Sequence, residues 1–330
     1  MVVLLSGLPE SVPAVTVNRL CASGTDAVVA GARQIQVGEA DLVIAGGAES
    51  MSRSPFINPS QRFGQKMGDI RTLDMMLGAL HCPFGTGHMG VTAENVAAEH
   101  QISREDQDAF ALESQQRAAR AIAEGRFAEQ IAPVEVRGKR DMVAFEVDEH
   151  PKSTTAEAVA GLRAVFQKDG SVTAGNASGI NDGAAAVVLA RSAAAEKAGL
   201  RPKARVLGYA HAGVRPEVMG IGPVPAVRNL LERTGLTLDA FDVIESNEAF
   251  AAQALAVNNE LGLDAAKVNP NGGAIALGHP TGCSGARILT TLMHEMKRRA
   301  TDAPRPFYGL ATLCVGVGQG VSTVVEWIDD

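Results

Sequence analysis

One cysteine of this sequence lies where a reactive thiol is useful. Cys21 follows an apolar stretch in "VNRLCASGTDAV" and directly precedes an Ala-rich helical pattern. The unpaired backbone N–H groups and the dipole at a helix entry favour a thiolate, which is the nucleophilic form of cysteine. A lone cysteine is nevertheless more often a buried packing residue. Cys21 is therefore a candidate nucleophile whose role depends on the groups that reach it.

Three later segments carry side chains that could act with this thiol. "GHPTGCSGAR" places His279 in a glycine-rich loop before a helix, where its ring can reach a cleft, although a single histidine is more often a satisfied core residue. "SNEAF" puts Asn247 just past a predicted strand, at the edge where open α/β sheets bind ligands. "LCVGVGQG" ends another strand with Cys314, and its spaced glycines allow a substrate to approach the backbone. Together these segments favour a catalytic role for Cys21.

The elements that must position these residues are clearest in the second half of the chain. Runs rich in Val, Ile and Leu alternate with helical patterns, which is typical of parallel βαβ units. The predicted strands span 204–213, 241–247 and 307–320. Two predicted helices end at Gly235 and Gly262, and a third covers 285–299. This half is therefore predicted to be a compact α/β unit.

The middle of the chain has a different character. Residues 52–172 are loop-rich and polar, with one convincing helix over 103–125 that opens on a near capping box ending at Asp106. We interpret this middle as an insertion within a first half that covers 1–199. The second half covers 200–330.

A weak internal repeat relates the two ends. "VNRLCASG" and "VNPNGG" each begin with Val-Asn, lead through a loop into a helix and return as an apolar strand that ends in glycines, which predicts two copies of one fold. About 65 residues separate Ala204 from Asn269 in the second copy, but only 17 precede Asn18. We therefore expect the first copy to lack a strand, a helix and a further strand, and the natural product to start upstream of Met1. Exposed sheet edges and apolar faces should then lower solubility and activity.

Composition excludes several classes of protein. Apolar residues make up 46% of the 330 residues and charged residues 20%, with 35 glycines, as in a soluble α/β enzyme. The formal charge of -7 argues against a nucleic-acid surface, although a small basic pocket for an anion stays possible. No apolar window is long enough to span a membrane, and the first residues lack the charge pattern of a signal peptide, so we expect a cytoplasmic protein. The four cysteines lack metal-ligand spacing, so no metal site is predicted.

Eight segments together resemble the thiolases of the acetyl-CoA acetyltransferase and 3-ketoacyl-CoA thiolase group. The resemblance runs in order along essentially the whole chain. The segments are "VNRLCASG", "GGAESMSRSPF", "HMGVTAENVA", "VTAGNASGINDGAAAVVL", "MGIGPVPA", "ESNEAFAAQALAVN", "VNPNGGAIALGHPTGCSGAR" and "ATLCVGVGQG". It implies an α/β protein with the duplicated thiolase fold, five-layered α/β/α/β/α, with a loop domain inserted in the first half. It also implies a homodimer or homotetramer.

The resemblance implies a role for each candidate. The Cys21 thiolate would attack an acyl-CoA thioester to form an acyl-enzyme, and a second substrate would then use the same site. Cys314 would take a proton from the α-carbon of acetyl-CoA. His279, which would also activate Cys21, and a water held by Asn247 would form one oxyanion hole. The backbone N–H groups of Cys21 and Gly316 would form the other.

The resemblance also implies contacts to coenzyme A, whose thioesters would be substrates, with no permanently bound cofactor. The positions that match the pantetheine tunnel of relatives are His88, Met89, Phe166, Ala174, Ser178, Met219, Ala249 and Phe250. Lys152 stands where relatives carry an arginine, so it keeps a charge near the nucleotide but loses the planar fork of a guanidinium. Cys82 and Cys283 are predicted to be packing residues.

Two other functional classes compete with this interpretation. A β-ketoacyl synthase shares the fold and the nucleophile, but it uses a pair of histidines where this chain has Cys314. A non-catalytic carrier with this fold would be expected to lose the reactive cysteines or His279, all of which are present. A truncated, catalytically impaired thiolase-fold protein could retain every side chain without activity. The acyl chain also stays open among acetoacetyl, 3-ketovaleryl, 3-oxoadipyl and longer groups, as does the physiological direction, because one sequence does not define the width of a tunnel.

Overall fold

The structure, a computed structural model, describes residues 1–300 and 305–329; Asp330, the end of the predicted second half, lies outside them. The helices are α1 (Val2–Leu5), α2 (Ser23–Gln36), α3 (Met75–Ala79), α4 (Met89–Glu99), α5 (Arg104–Ala123), α6 (Ala156–Ala160), α7 (Ser192–Lys197), α8 (Pro223–Thr234), α9 (Ala251–Leu261), α10 (Ala274–Leu277) and α11 (Thr281–Ala300). The strands are β1 (Leu42–Ser50), β2 (Phe56–Ile57), β3 (Leu73–Asp74), β4 (His81–Cys82), β5 (Gly87–His88), β6 (Val134–Arg137), β7 (Met142–Phe145), β8 (Asp182–Ala190), β9 (Ala204–Gly213), β10 (Phe241–Ser246), β11 (Phe307–Val315) and β12 (Gln319–Trp327).

The second half is built around a mixed sheet. Its strands in the described residues lie in the order β10, β11, β12, β9. β10 and β11 run parallel, whereas β12 pairs antiparallel with both β11 and β9. The prediction of parallel pairing is therefore right for β10 and β11 and wrong for the other pairs. The reason is that a turn of three residues, 316–318, joins β11 to β12, and so short a connection can join only antiparallel strands.

The boundaries predicted in this half are largely confirmed. β9 coincides with the predicted strand, and β10 ends one residue before the predicted end. α8 and α9 end at Gly235 and Gly262, whose φ angles of 69° and 64° are the left-handed geometry that glycine permits at a helix end. The predicted strand 307–320 is two strands, because its glycines form a turn instead of a strand end.

The first half contributes a smaller sheet. β1 and β8 pair antiparallel along their whole length, and no other strand joins them in the described residues. Both faces of this ribbon are apolar. Val43 and Leu189 lie on the face that packs on α2. A Cβ added at Gly31 of α2 would lie 2.9 Å from a side-chain atom of each of these residues. The opposite face carries Ile44 and its pair partner Val188, which are 55% and 60% exposed.

A layer formed by α2 and α11 lies between the two sheets. The helices approach so closely that a Cβ at Gly24 would lie 2.4 Å from the backbone N of Ala286, and one at Gly285 would lie 2.5 Å from that of Thr25. The Thr25 hydroxyl donates to the Gly285 carbonyl across this contact. One apolar cluster joins side chains of α2, α11, β1, β11 and β12. Glycine at both crossing points therefore allows the two halves to share one core.

A further helical layer covers the outer face of the second sheet. α8 packs on β9 and β12, and a second cluster, which includes Leu230, Leu310 and Val324, lies on this side. Helix, sheet, helix and sheet thus form four of the five expected layers, and the outer face of the β1/β8 ribbon is open within residues 1–300 and 305–329. None of the helices described is long and apolar enough to cross a membrane.

The middle segment is more helical than its sequence suggests. The helix predicted over 103–125 is confirmed as α5, with a capping box between Ser103 and Asp106. The expectation of one helix is nevertheless wrong, because α4 also forms there and packs on α9 and on the turn over 216–221. Its sequence, "MGVTAENVAAE", has few charges, since most of its length is buried.

Candidate active site

Cys21 lies in a short 3-10 turn, Leu20–Ala22, that leads directly into α2. No strand precedes it in the described residues, so the predicted strand-to-helix turn is an extended segment followed by this turn. Leu20 has a φ of 47°, a conformation that costs a non-glycine residue about 1–3 kcal/mol and is concentrated at functional sites. The backbone N–H groups of Gly316 and of Cys21 itself hydrogen-bond the sulfur. The strained turn therefore aims the thiol at the turn after β11.

The resting thiol is not the thiolate that a helix entry favours. Burial, and to a smaller extent the charge of Glu49, raise the pKa of Cys21 to about 11 against the lowering effect of the N–H groups of Gly316 and Cys21. Burial therefore outweighs the expected preference for a thiolate at this helix entry in the resting site. The cost of burying a charge is larger than the benefit of two hydrogen bonds. A role as nucleophile would therefore require a base that removes the proton of Cys21.

Cys314 is completely buried near the end of β11. Burial raises the pKa of its thiol, and the charge of Cys21 raises it further. The turn that carries Cys21 packs against β11, the strand that carries Cys314, so the two thiols lie in one site where the charge of one acts on the other. The two cysteines thus come together although 293 positions separate them (314 − 21).

His279 lies in the loop between α10 and α11 and is 6% exposed. Its backbone N–H donates to Asn181 Oδ1 at 3.1 Å, and its Nδ1 lies 2.6 Å from the hydroxyl of Ser284. Its other ring nitrogen, Nε2, is buried without a hydrogen-bond partner in the part of the chain that the structure describes. Burial, and secondly the charge of Arg287, lower the pKa of His279 to about 4. The ring is therefore neutral at physiological pH and can accept a proton.

Asn247 follows β10 and is 1% exposed. Its backbone N–H donates to the Thr312 carbonyl at 3.0 Å, which places it beside β11, two residues from Cys314. Neither its side-chain nitrogen nor its side-chain oxygen has a partner among the described residues. Buried polar atoms are nearly always paired, so an amide in this state is a candidate to hold a substrate oxygen or a water.

The residue after it anchors this loop. The carboxylate of Glu248 accepts hydrogen bonds from Ser114, Asn269 and the backbone N–H of Ile275. Burial raises the pKa of Glu248 against the lowering effect of these bonds. A network of this kind holds the neighbouring backbone in one conformation. Sequence reasoning did not find Glu248, since nothing local distinguishes it from a surface glutamate.

An apolar cluster leads to Cys314. It contains five of the residues matched to a pantetheine tunnel, together with Cys82: Met89, Phe166, Met219, Ala249 and Phe250. His88 stacks on the ring of Phe166, with 4.7 Å between the ring centroids, and Ser178 donates its backbone N–H to the Ala249 carbonyl. The structure therefore brings seven of these positions together around the buried thiol.

Two of the predicted contacts lie farther out. Ala174 is exposed and lines a cavity of about 500 Å³ together with Leu162, Arg163, Ala164 and Val165. Lys152 is also exposed, and its backbone N–H donates to Gln115 Oε1. Neither residue belongs to the apolar cluster around Cys314. Cys82 and Cys283 are buried, which agrees with the expectation that they are packing residues.

Both halves of the chain match models of one enzyme family. The thiolase N-terminal domain matches residues 1–193 and the thiolase C-terminal domain matches residues 200–327. The chain belongs to the thiolase family. Two relatives of this thiolase cover nearly all of it. Beta-ketothiolase BktB of Cupriavidus necator is 54% identical over 324 residues, 98% of this chain and 81% of the relative. Beta-ketoadipyl-CoA thiolase of Pseudomonas aeruginosa is 55% identical over 334 residues, 99% of this chain and 82% of the relative.

Solved structures agree with this assignment. The acetyl-CoA acetyltransferase of Bacillus anthracis superposes on this thiolase with a TM-score of 0.94 at 47% identity, covering 98% of this chain and 82% of that one. Human mitochondrial 3-ketoacyl-CoA thiolase in complex with CoA superposes with a TM-score of 0.93 at 46% identity, covering 99% and 81%. The predicted family, fold class and enzyme class are therefore confirmed, and the β-ketoacyl synthase alternative is not supported.

Proposed function

We propose that this thiolase transfers acyl groups between CoA thioesters through an acyl intermediate on Cys21. The reaction is the reversible Claisen condensation of acetyl-CoA with an acyl-CoA, or the thiolysis of a short-chain 3-ketoacyl-CoA. One observation carries the proposal: the turn that carries Cys21 packs against the strand that carries Cys314 and against α11, and the nearby His279 has a buried ring nitrogen that no described residue pairs with. His279 is the proposed base for the resting thiol of Cys21.

In the first half-reaction, His279 Nε2 takes the proton of Cys21 as its sulfur attacks the thioester carbonyl carbon. The carbonyl oxygen becomes an oxyanion, and the backbone N–H groups of Gly316 and Cys21 are the donors that hydrogen-bond it. Collapse of the tetrahedral intermediate breaks the bond from carbon to the CoA sulfur, and the CoA sulfur takes the proton back from His279. Each preorganised donor contributes about 2.7–4 kcal/mol to such a step.

In the second half-reaction, the thiol of Cys314 passes its proton to Nε2 of His279, and the resulting thiolate takes a proton from the α-carbon of acetyl-CoA. The resulting enolate oxygen is held by His279 and by a water on the unpaired amide of Asn247. The enolate carbon then attacks the acyl group on Cys21, and the sulfur of Cys21 leaves as a thiolate that takes the proton from Nε2 of His279, which restores the resting site. In the direction of thiolysis, Cys314 protonates the departing enolate. Its raised pKa suits this exchange, since the pKa values of α-protons are also high.

The apolar cluster around Cys314 is the proposed lining of the pantetheine channel. His88 and Ser178 lie at its polar edge, and the cavity beside Ala174 and Arg163 is suited to the nucleotide end of CoA. Lys152, which is exposed, would contribute positive charge at that end. We propose no permanently bound cofactor.

The extent of the two halves, the oligomeric state, the location in the cell and the substrate class are also proposed from the resemblance to thiolases. The first half covers 1–199, with its insertion at 52–172, and the second half covers 200–330. The working form is a cytoplasmic homodimer or homotetramer. The names of the two relatives differ in the acyl group they specify, so the natural substrate of this chain is proposed only as a short-chain 3-ketoacyl-CoA.

An assay of acetoacetyl-CoA cleavage in the presence of free CoA tests the proposal. We expect acetyl-CoA to form with ping-pong kinetics and the Cys21→Ala variant to be inactive, because no other group can carry the acyl chain. The Cys82→Ala variant is the matched control and should keep its activity. Absence of thiolysis by the unaltered protein, or full activity of Cys21→Ala, would reject the proposal.

A further inference from the structure

The hydroxyl of Ser284 makes two contacts that together determine where its proton lies. It is 2.9 Å from the Pro280 carbonyl oxygen and 2.6 Å from His279 Nδ1. The carbonyl is held in place, because it also accepts the backbone N–H groups of Cys283 and Ser284. A carbonyl can only accept, so a hydroxyl at 2.9 Å must direct its proton there; otherwise two oxygen lone pairs would face each other. The hydroxyl is then an acceptor toward the histidine ring.

We propose that Ser284 is a positioning residue, which holds the proton of neutral His279 on Nδ1 and so presents the lone pair of Nε2 to the thiol of Cys21. The catalytic consequence of this tautomer rests on the proposed function. The assignment of the tautomer itself rests only on the contacts of Ser284. A neutral imidazole carries one N–H and one lone pair, so an acceptor at Nδ1 determines the state of Nε2. In the described part of the chain, Nε2 has no protein partner that opposes this assignment.

The backbone around His279 holds the ring in the same orientation. Asn181 Oδ1 accepts the backbone N–H of His279. Gly278 has a φ of 96°, and a Cβ on it would lie 2.6 Å from the Asn181 side chain, so glycine allows this close approach. Ser284 itself is completely buried in the first turns of α11. Water therefore does not compete for the Nδ1 proton.

The tautomer matters because the thiol of Cys21 is protonated at rest. A ring with its lone pair on Nε2 can accept that proton in one step. The opposite tautomer would direct an N–H at the sulfur and could not act as a base until its proton had moved. After proton transfer, the Nδ1–H bond to Ser284 remains, and the same ring presents Nε2–H to the substrate oxygen. Ser284 would thus allow one histidine to be first an acceptor and then a donor.

The tautomer can be observed directly in protein labelled with ¹⁵N-histidine, by correlating ring nitrogens with ring protons over two bonds. A His279→Gln variant identifies the signal among the seven histidines. We expect the unaltered protein to carry the proton on Nδ1, Ser284→Ala to lose that preference, and Ser284→Thr to retain it. A proton on Nε2 in the unaltered protein, or an unchanged spectrum in Ser284→Ala, would overturn the inference.

The consequence for chemistry is measured by the rate at which iodoacetamide alkylates Cys21 and by the steady-state constants. We expect Ser284→Ala to lower both the alkylation rate and kcat at least ~10-fold, a part of what a general base contributes, with KM for CoA unchanged. Ser284→Thr should restore most of the rate, because its hydroxyl can make the same two contacts. Alkylation and kcat at the unaltered level in a folded Ser284→Ala variant would contradict the inference.

Thr290→Ala is the matched control for loss of a helical hydroxyl. Thr290 Oγ1 donates to the Ala286 carbonyl four residues back on the same helix, as Ser284 does to Pro280, but it does not contact His279. Its alkylation rate should equal that of the unaltered protein. If Cys21→Ala stays active, the proposed function fails while the tautomer result stands. If Cys21→Ala is inactive but Ser284→Ala is not impaired, this inference alone fails.

Discussion

The sheets in the two halves of this thiolase are covered by helices to different extents in the part of the chain that the structure describes. In the second half, helices cover both faces of the sheet, and two separate apolar clusters form on them. In the first half, the β1/β8 ribbon packs only its inner face on α2 and α11, and apolar side chains on its outer face are exposed. The proposed nucleophile, Cys21, nevertheless comes from the first half. Its position depends on the helix contact shared by both halves more than on the sheet of its own half.

The residues of the candidate site are also divided between the two halves. Cys21 belongs to the first half, whereas Asn247, His279 and Cys314 belong to the second. The turn that carries Cys21 packs against α11 and β11, so the first half delivers one sulfur atom into a site built by the second. The comparison predicts that changes at the shared contact act on chemistry and stability together, whereas changes on the outer ribbon do not affect chemistry.

The largest effect is expected from a substitution that distinguishes the roles of the two sulfur atoms. Cys314→Ala should lower turnover about 10²–10⁴-fold, because a positioned base contributes that much to the removal of a carbon-bound proton. The first half-reaction does not need this base, so acetyl-CoA should still acetylate Cys21. Mass spectrometry of the protein after incubation with acetyl-CoA measures the acetyl group. Absence of the acetyl group from Cys21 in Cys314→Ala would contradict the assignment of Cys314 to the second half-reaction.

A somewhat smaller effect should follow from the contact between the halves. Gly285→Ala introduces a Cβ 2.5 Å from the backbone N of Thr25, so α2 and α11 must separate. Overpacking of this kind costs about 1–3 kcal/mol of unfolding free energy. A displacement of Cys21 from His279 should lower kcat up to about 100-fold.

Urea unfolding and the thiolysis assay measure these two effects. Gly78→Ala is the control, because Gly78 lies in α3 and the atom nearest to its added Cβ is 4.0 Å away. It should leave both quantities close to those of the unaltered protein. Equal behaviour of the two variants would show that the helix contact does not position the nucleophile.

The sheets themselves can be compared with one substitution made twice. Val321→Thr, on β12, buries a hydroxyl at a position that is 0% exposed and should lower the unfolding free energy by about 1–3 kcal/mol. Val188→Thr, on β8, alters a side chain that is 60% exposed and should change the unfolding free energy by less than about 0.5 kcal/mol. Urea titration of both variants measures the difference, and similar losses would mean that the outer face of the ribbon is covered in solution.

The smallest effect concerns an ionic contact between the halves. Asp26, on α2, accepts from His211 on β9 at 2.8 Å and from Arg19. Burial raises the pKa of Asp26, but the hydrogen bonds from His211 and Arg19 outweigh it and lower the pKa below the ordinary value of 3.8. The contribution is therefore complete above that value and is lost as pH falls through the lowered pKa of the folded state.

Asp26→Asn tests this contribution. We expect it to cost about 0.5–1 kcal/mol at pH 6, because the carboxylate is only partly buried and solvent screens it. The difference from the unaltered protein should shrink steadily below pH 3.8. Unfolding measured at pH 6 and at pH 3 gives the comparison. A difference that grows as pH falls would have the wrong sign.

Much of the second half could be predicted because its signals are local. Gly235 and Gly262 end helices through their own left-handed backbone, and Ser103 with Asp106 begins α5 within one turn. The turn at 316–318 and helix α4 were not predicted. Glycines end a strand or reverse it with the same residue types, and a helix buried on most sides lacks a polar face that would mark it.

The candidate site was predictable as a set of residues but not as a chemical state. Cys21, His279, Asn247 and Cys314 were each indicated by their place at the end of an element. The positive φ of Leu20 and the contact of Ser284 with His279 Nδ1 were not predictable, since both depend on how other segments of the chain fold around them.

The sequence by itself determined which residue types are available and where helices and strands begin and end, because caps, glycines and apolar periodicity act over a few positions. Only the tertiary structure decided which sulfur atoms meet, which face of the first sheet is exposed and that the resting nucleophile is a protonated thiol. These properties depend on desolvation and on hydrogen bonds between residues far apart in the chain. A local pattern at Cys21 indicates a thiolate, and burial in the folded chain reverses that preference until a base is in place.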